Sequence, residues 1–299
     1  MHLELEPRFV AKRAPSYDVF AHDGGVLLLP GMYGTDLAAL GPAYWSPTGE
    51  SFVEAPIDGS AVKLSATPEV RPMFHGNVTP SGYAFVSAYG FHAAKLSVGP
   101  EARIEPSGFA PPQESLRIND LVVDHHGTWW LAGYANGDEA KGRIYSSPDG
   151  VAWTLVVSDK HWTLARLFAR RDRVVGLQFK QFSEVTGGTL VKLGSAKAHM
   201  DHAVFTDAAI VAVGEGIVSV LSNGAKKTKY ATSPVRSPVQ MLALGNGVLM
   251  GGSEGLFFAR DVERIEWEKI ATVGVRALVA AKRGPLVVTH GGEVLPLRA

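Results

Sequence analysis

The chain has no cysteine in its 299 residues, which excludes disulfides, thiolate metal sites and cysteine nucleophiles. It has no excess of either charge. With 29 Lys and Arg against 29 Asp and Glu, no global field draws the molecule to nucleic acid or to an anionic membrane. No apolar run is long enough to span a bilayer, and the start, "MHLELEPRFVAKRAPSYDVF", carries charges throughout and lacks the apolar stretch of a signal peptide. These absences predict a soluble cytoplasmic protein with no nucleic-acid partner and no membrane insertion. Helical periodicity is nearly absent too, so there is no Gly-rich phosphate loop between a strand and a helix, and no Ser-centred nucleophile elbow.

What is there is apolar and turn-rich. Hydrophobic residues make up 46% of the chain and charged ones 19%, with 33 Gly and 18 Pro, a composition that packs a core between many turns. Short runs of Val, Leu, Phe and Trp recur between Gly, Asp and Asn, as in a protein of many strands. The runs repeat: "VFAHDGGVLLLPG" (19–31), "NVTPSGYAFVSAYG" (77–90), "LVVDHHGTWWLAGY" (121–134), "LFARRDRVVGLQF" (167–179), "AVFTDAAIVAVGEG" (203–216), "LALGNGVLMGGSEG" (242–255) and "LVAAKRGPLVVTHGG" (278–292). Each reads as strand, turn, strand. Anchored on Gly25, Gly82, Gly127, Arg173, Ala209, Gly247 and Gly284, the intervals are roughly 57, 45, 46, 36, 38 and 37 residues, near the length of a four-stranded propeller blade.

This spacing predicts an all-β fold: a single β-propeller domain over 1–299, with blades at 16–57, 72–99, 117–157, 164–194, 201–232, 238–271 and 275–299 plus 1–11. Six or eight blades are the alternative counts. The last repeat is one strand short, and "LELEPRFV" at the other terminus is a free strand; pairing the two closes the ring and removes two exposed edges.

Between "GRIYSS" and "WTLV" stands Ser147-x-Asp149-Gly150-x-x-Trp153. It resembles the Asp-box of the BNR-repeat β-propeller superfamily. In that motif the Ser and Asp side chains satisfy backbone donors of the turn between the two outer strands, Gly relieves the backbone and the aromatic packs between sheets. Weaker copies are Ser46-Pro47-Thr48-Gly49-Glu50-Ser51-Phe52, Ser222-Asn223-Gly224 and "ARDVERIEW" (259–267), which keeps Asp261 and Trp267. The resemblance implies a sialidase-like fold. Sialidases of this superfamily carry three arginines, a Tyr-Glu pair and an acidic proton donor; here Arg71, Arg103, Arg117, Arg143 and Arg166 stand in no Arg-Ile-Pro motif near the first blade, so the sialidase catalytic motifs are missing.

In propellers of this kind the box lies opposite the usual binding face, and the loops on that face are unequal here. Long ones lie at 32–44, 65–72, 98–115, 135–142, 158–162 and 180–188, all in the first four repeats. Long loops on a rigid scaffold are where binding resides. The candidate contacts are Tyr33, Asp36, Tyr134, Asp138, Glu139, Lys141, His161, Trp162, Phe182 and Glu184, a mixture of aromatic and charged side chains suited to a protein surface or a sugar ring. No catalytic residue, metal or cofactor is assigned. His125-His126 and the "HMDH" at 199–202 lack a third ligand at a recognised spacing, and Lys226, Lys227 and Lys229 read as a solvated hairpin tip. The sequence therefore predicts a non-enzymatic scaffold with a protein partner. The alternative is a propeller that binds or hydrolyses glycans, which requires two opposed carboxylates.

Overall fold

The computed structural model describes residues 4–5, 9–10, 17–22, 25–30, 43–58, 75–79, 82–87, 90–97, 99–106, 116–135, 142–159, 166–170, 173–178, 180–225 and 227–298. Two short strands, β1 (Glu4–Leu5) and β2 (Phe9–Val10), open the chain. The first sheet is a meander of β3 (Tyr17–His22), β4 (Gly25–Pro30), β5 (Ala43–Ser46) and β6 (Val53–Ala55). Then β7 (Ile57–Asp58) leaves it and pairs in parallel with the last strand of the second sheet, which comprises β8 (His75–Thr79), β9 (Gly82–Ser87), β10 (Gly90–Ser97) and β11 (Ala102–Pro106). The third sheet holds β12 (Leu116–Val123), β13 (Trp129–Ala135), β14 (Gly142–Ser147) and β15 (Thr154–Asp159). The fourth holds β16 (Arg166–Arg170), β17 (Arg173–Gln178), β18 (Gln181–Thr186) and β19 (Thr189–Ser195).

Next come β20 (His202–Phe205), β21 (Ala209–Gly214), β22 (Ile217–Ser222) and β23 (Lys229–Thr232), followed by β24 (Pro238–Leu244), β25 (Gly247–Gly252), β26 (Gly255–Ala259) and β27 (Trp267–Ala271). The final sheet has β28 (Val275–Ala281), β29 (Gly284–Thr289) and β30 (Glu293–Arg298) from the C-terminus. Both N-terminal strands pair antiparallel with β30, Leu5 opposite Leu297 and Phe9 opposite Val294. Apart from β1, β2 and β7, strands adjacent in sequence within a sheet are adjacent in space and antiparallel, as short tight connections require. All described structure is β, and no helix among the described residues is long and apolar enough to cross a membrane.

The core lies between sheets rather than inside any one of them. Val122, Ala132 and Ile144 of the third sheet pack with Leu167 and Val174 of the fourth. Phe182 of the fourth meets Ile210 and Leu221 of the fifth, and Val26, Leu28 and Tyr44 of the first sheet meet Leu286, Val288 and Val294 of the last. A sheet covered on both faces needs apolar residues on both, so second strands read as unbroken apolar runs instead of alternating ones. "AIVAVG" (β21) and "GVLMGG" (β25) are buried at every position. The fourth strands are the counterpart: "KYAT" (β23) and "WEKIA" (β27) contain no fully buried residue.

Two segments expected to be loops contain strands. Residues 180–188 hold all of β18, so the second-to-third-strand connection in this sheet is the tight link 179–180, and the 98–115 stretch contains β11. In both cases alternation was masked by polar residues: Gln181, Ser183 and Glu184 on β18, and Arg103 and Glu105 on β11, make strands look like connections.

Candidate binding site

The turn joining β14 to β15 is held by side chains. Ser147, almost fully buried, accepts the Gly150 N–H at 2.9 Å and donates its hydroxyl to Asp149 at 2.9 Å. Asp149 Oδ1 accepts the N–H groups of Val151 at 2.8 Å and Ala152 at 2.9 Å, and these bonds hold its carboxyl below the usual range. Gly150 has φ +75°, and a Cβ there would lie 3.2 Å from the Trp129 ring, so both conformation and space select glycine. The first sheet repeats the device: Ser46 Oγ accepts the Gly49 N–H at 2.8 Å. In the sixth, Asp261 Oδ1 accepts the Glu263 N–H at 2.9 Å. These turns fasten strands and present no unused reactive group.

Of the expected contacts, Tyr33, Asp36, Asp138, Glu139, Lys141, His161 and Trp162 lie outside the described residues. Tyr134 is in β13, one residue before its end, opposite Arg117. The remaining two are on β18 and not on a loop. Phe182 is fully buried in the core between the fourth and fifth sheets, and Glu184 forms an ion pair with Arg173 at 2.7 Å. A buried ring and a carboxylate paired along its own sheet are structural, so both leave the set of loop contacts.

The structure instead places polar side chains on the first strands, Arg166 and His202 as the opening residues of β16 and β20 and Asp120 and Gln240 within β12 and β24. A cavity of about 500 Å³ is lined by first strands of four successive sheets: Asp120, Val122 and Val123 of β12, 166–169 of β16, 202–205 of β20 and 240–243 of β24. At one end stand Asp120, Arg166, His202 and Gln240, one from each sheet, with Asp201 beside them. Asp120 follows a bulge in β12, which turns its carboxylate toward the next sheet. Its Oδ2 accepts the N–H of Leu167 at 2.8 Å and its Oδ1 that of Leu121 at 3.0 Å. Gln240 follows a bulge in β24 and does the same three gaps later, its Oε1 accepting the Leu278 N–H at 2.8 Å. These side chains bridge from one first strand to the next.

Charge at this mouth is set by burial and by one cation. Burial raises the Asp120 carboxyl from an ordinary 3.8 to about 6, against the opposing pull of the Leu167 N–H and the Arg166 guanidinium. Burial, then the Arg166 charge, lowers His202, against Asp201 and a hydrogen bond to the Pro238 carbonyl. At neutral pH, Arg166 is therefore the exposed cation beside a neutral imidazole. The arrangement holds an anionic or hydrogen-bonding group; both Asp120 oxygens are already engaged by backbone donors. Among the described residues no cluster of three or more His, Asp or Glu is placed to bind a metal.

Sequence reasoning missed these four residues, although a signal exists. "DLVV", "RLFA", "HAVF" and "QMLA" each place one polar residue ahead of an apolar strand, at the same point of four successive repeats.

The third sheet's pairing puts the described ends of its long connections at one edge, the one at which β12 begins. Leu116 opens β12 opposite Ala135, where β13 ends; Gly142 opens β14 opposite Asp159, where β15 ends; and the 160–165 connection leads directly into Arg166.

No protein-family model matches the chain, and no curated protein matches its sequence. Solved structures do resemble it. A catalytically inactive virginiamycin B lyase from Staphylococcus aureus, determined with quinupristin, superposes with a TM-score of 0.66 at 10% identity over 100% of both chains. The WD40 domain of Pan2 from Neurospora crassa gives 0.56 at 10% identity over 95% of this chain and 88% of that one. BamB from Moraxella catarrhalis gives 0.52 at 10% identity over 99% and 98%. At such low identity the likeness is one of fold, and function must be argued from the site: the chain is an all-β protein with the β-propeller architecture.

Proposed function

We propose that this protein is a non-enzymatic β-propeller that holds a protein partner at the end where its first strands begin. In this reading the seven described sheets are seven blades, the pairing of β1 and β2 with β30 closes the ring, and the 147–153 turn is an Asp-box fastener on the opposite end. The observation that carries the proposal is a coincidence of place. Within the polar group of Asp120, Arg166, His202 and Gln240, Arg166 opens β16 directly after residues 160–165, and the third sheet's strands end at Ala135 and Asp159, before the segments 136–141 and 160–165 whose sequence contains Asp138, Glu139, Lys141, His161 and Trp162. An exposed guanidinium together with aromatic and charged residues in the adjoining sequence is a composition suited to a protein-binding centre. Propeller relatives by fold include a WD40 domain and BamB, in keeping with such a role. A glycan reading rests on Asp120 and Asp201 both lining the cavity; engagement of both Asp120 oxygens counts against glycosidic chemistry.

The test is affinity capture from the native organism, comparing the tagged protein with a folded variant carrying Asp138→Ala, Trp162→Ala and Arg166→Ala. A stoichiometric protein lost with the variant is the expected result. A partner retained equally overturns the assignment to this end, and no protein partner together with saturable binding on a glycan array shifts the function to carbohydrate.

A further inference from the structure

A larger groove lies elsewhere. It measures about 780 Å³ and runs between the fourth and fifth sheets, and every ionisable group of charge at its walls is a cation: Arg173 from the start of β17, Lys192 from β19 and Lys227 from the link before β23. Among the described residues no carboxylate lines it. Arg173 is held by Glu184 outside the lining, whereas Lys192 and Lys227 are exposed and have no ion-pair partner among the described residues. The floor is apolar, formed by Leu193, Ile210 and Leu221. Tyr230 crosses from one sheet to the other, donating its hydroxyl to the Ser195 carbonyl at 2.9 Å, yet remains 46% exposed.

Two further features favour an extended chain as occupant. First, β19 and β23 are the outermost strands of their sheets, so each presents an edge whose backbone groups face outward. Second, Thr228 Oγ1 lines the groove buried and without a hydrogen-bond partner, a cost that an incoming polar group removes. Gly194 keeps this space open, because a Cβ there would come within 3.1 Å of both Thr228 Oγ1 and Leu221. The groove lies toward the turn end of the first hairpins, beside Arg173 and the 222–225 turn, away from the Asp120 mouth.

We infer that the groove between the fourth and fifth sheets binds an extended peptide segment in which acidic residues alternate with apolar ones, apolar side chains on the Leu193–Ile210–Leu221 floor and carboxylates at Lys192 and Lys227. A peptide fits better than a long polyanion, since its apolar side chains match the apolar floor and the chain as a whole carries no net positive charge. The site is independent of the partner proposed for the other end.

Fluorescence anisotropy tests it with a labelled peptide of about nine residues alternating Asp and Leu, an Asn-Leu counterpart and a thymidine oligonucleotide of similar length. The expected result is saturable binding of the acidic peptide, weakened about tenfold or more by Lys192→Glu with Lys227→Glu, and weakened as salt rises from about 50 to about 500 mM. Both lysines are exposed, so the double variant should keep the wild-type melting temperature, a control read in parallel. No saturable binding, equal binding of the Asn-Leu peptide, an unchanged affinity in the double variant or equally tight oligonucleotide binding would each overturn the inference.

Discussion

Asp120 places a carboxylate where water is scarce and answers it with two backbone N–H groups and one guanidinium, and burial still prevails. Its folded value of about 6 lies above the ordinary 3.8, so the folded state takes up the proton first. Above about pH 6 the carboxylate is ionised folded or unfolded, and the full burial penalty opposes folding; below about pH 4 it is protonated in both states and the penalty is gone. This group's stabilisation is thus present at low pH and lost as pH rises through 6, a change on the order of 3 kcal/mol. Denaturant titrations at pH 7.5 and pH 5 should therefore show wild type gaining stability relative to Asp120→Asn as pH falls; a pH-independent difference would place the carboxyl in water. At the β14–β15 turn, Ser147→Ala leaves the Gly150 N–H without its acceptor and should cost about 1–2 kcal/mol in the same titration.

Individual elements differ according to their place in the sheet. Second strands are sandwiched and carry the packing, whereas fourth strands face solvent and hold their edges with Lys and Glu, the charged residues that discourage further pairing. Leu249 on β25 is fully buried in the cluster between the sixth and last sheets, and Leu155 on β15 is 49% exposed. Leu249→Ala should cost about 2–5 kcal/mol, and Leu155→Ala about 0.5 kcal/mol or less, measured as the shift in denaturant midpoint. Similar costs at both positions would contradict the inter-sheet core.

For the molecule as a whole, sheets are stacked side by side, and the first and last share a cluster of Val26, Leu28, Leu286 and Val288. The N-terminal strands bind the far end of the chain through β30, joining residues nearly three hundred positions apart. Removing residues 1–10 exposes the β30 edge. The truncated protein should melt lower and self-associate with rising concentration, by calorimetry and light scattering; unchanged melting would show that the terminal pairing contributes little.

The sequence by itself determined the repeat, and with it the all-β class and the propeller architecture, because apolar strands and turn residues are local signals recurring at a near-constant interval. It also located the Ser147-Asp149-Gly150 turn, whose hydrogen bonds span only a few residues. The tertiary structure decided what depends on contacts between repeats. Phe182 became core because a neighbouring sheet covers it; Asp120 acquired its raised carboxyl because packing between sheets buries it, against the Leu167 N–H and the Arg166 charge that β16 brings from more than forty residues away. Arg173, Lys192 and Lys227 likewise form one basic groove only because two sheets stand side by side. Periodicity reports which face of a strand is apolar; it carries no information about which side chain of the next sheet arrives opposite.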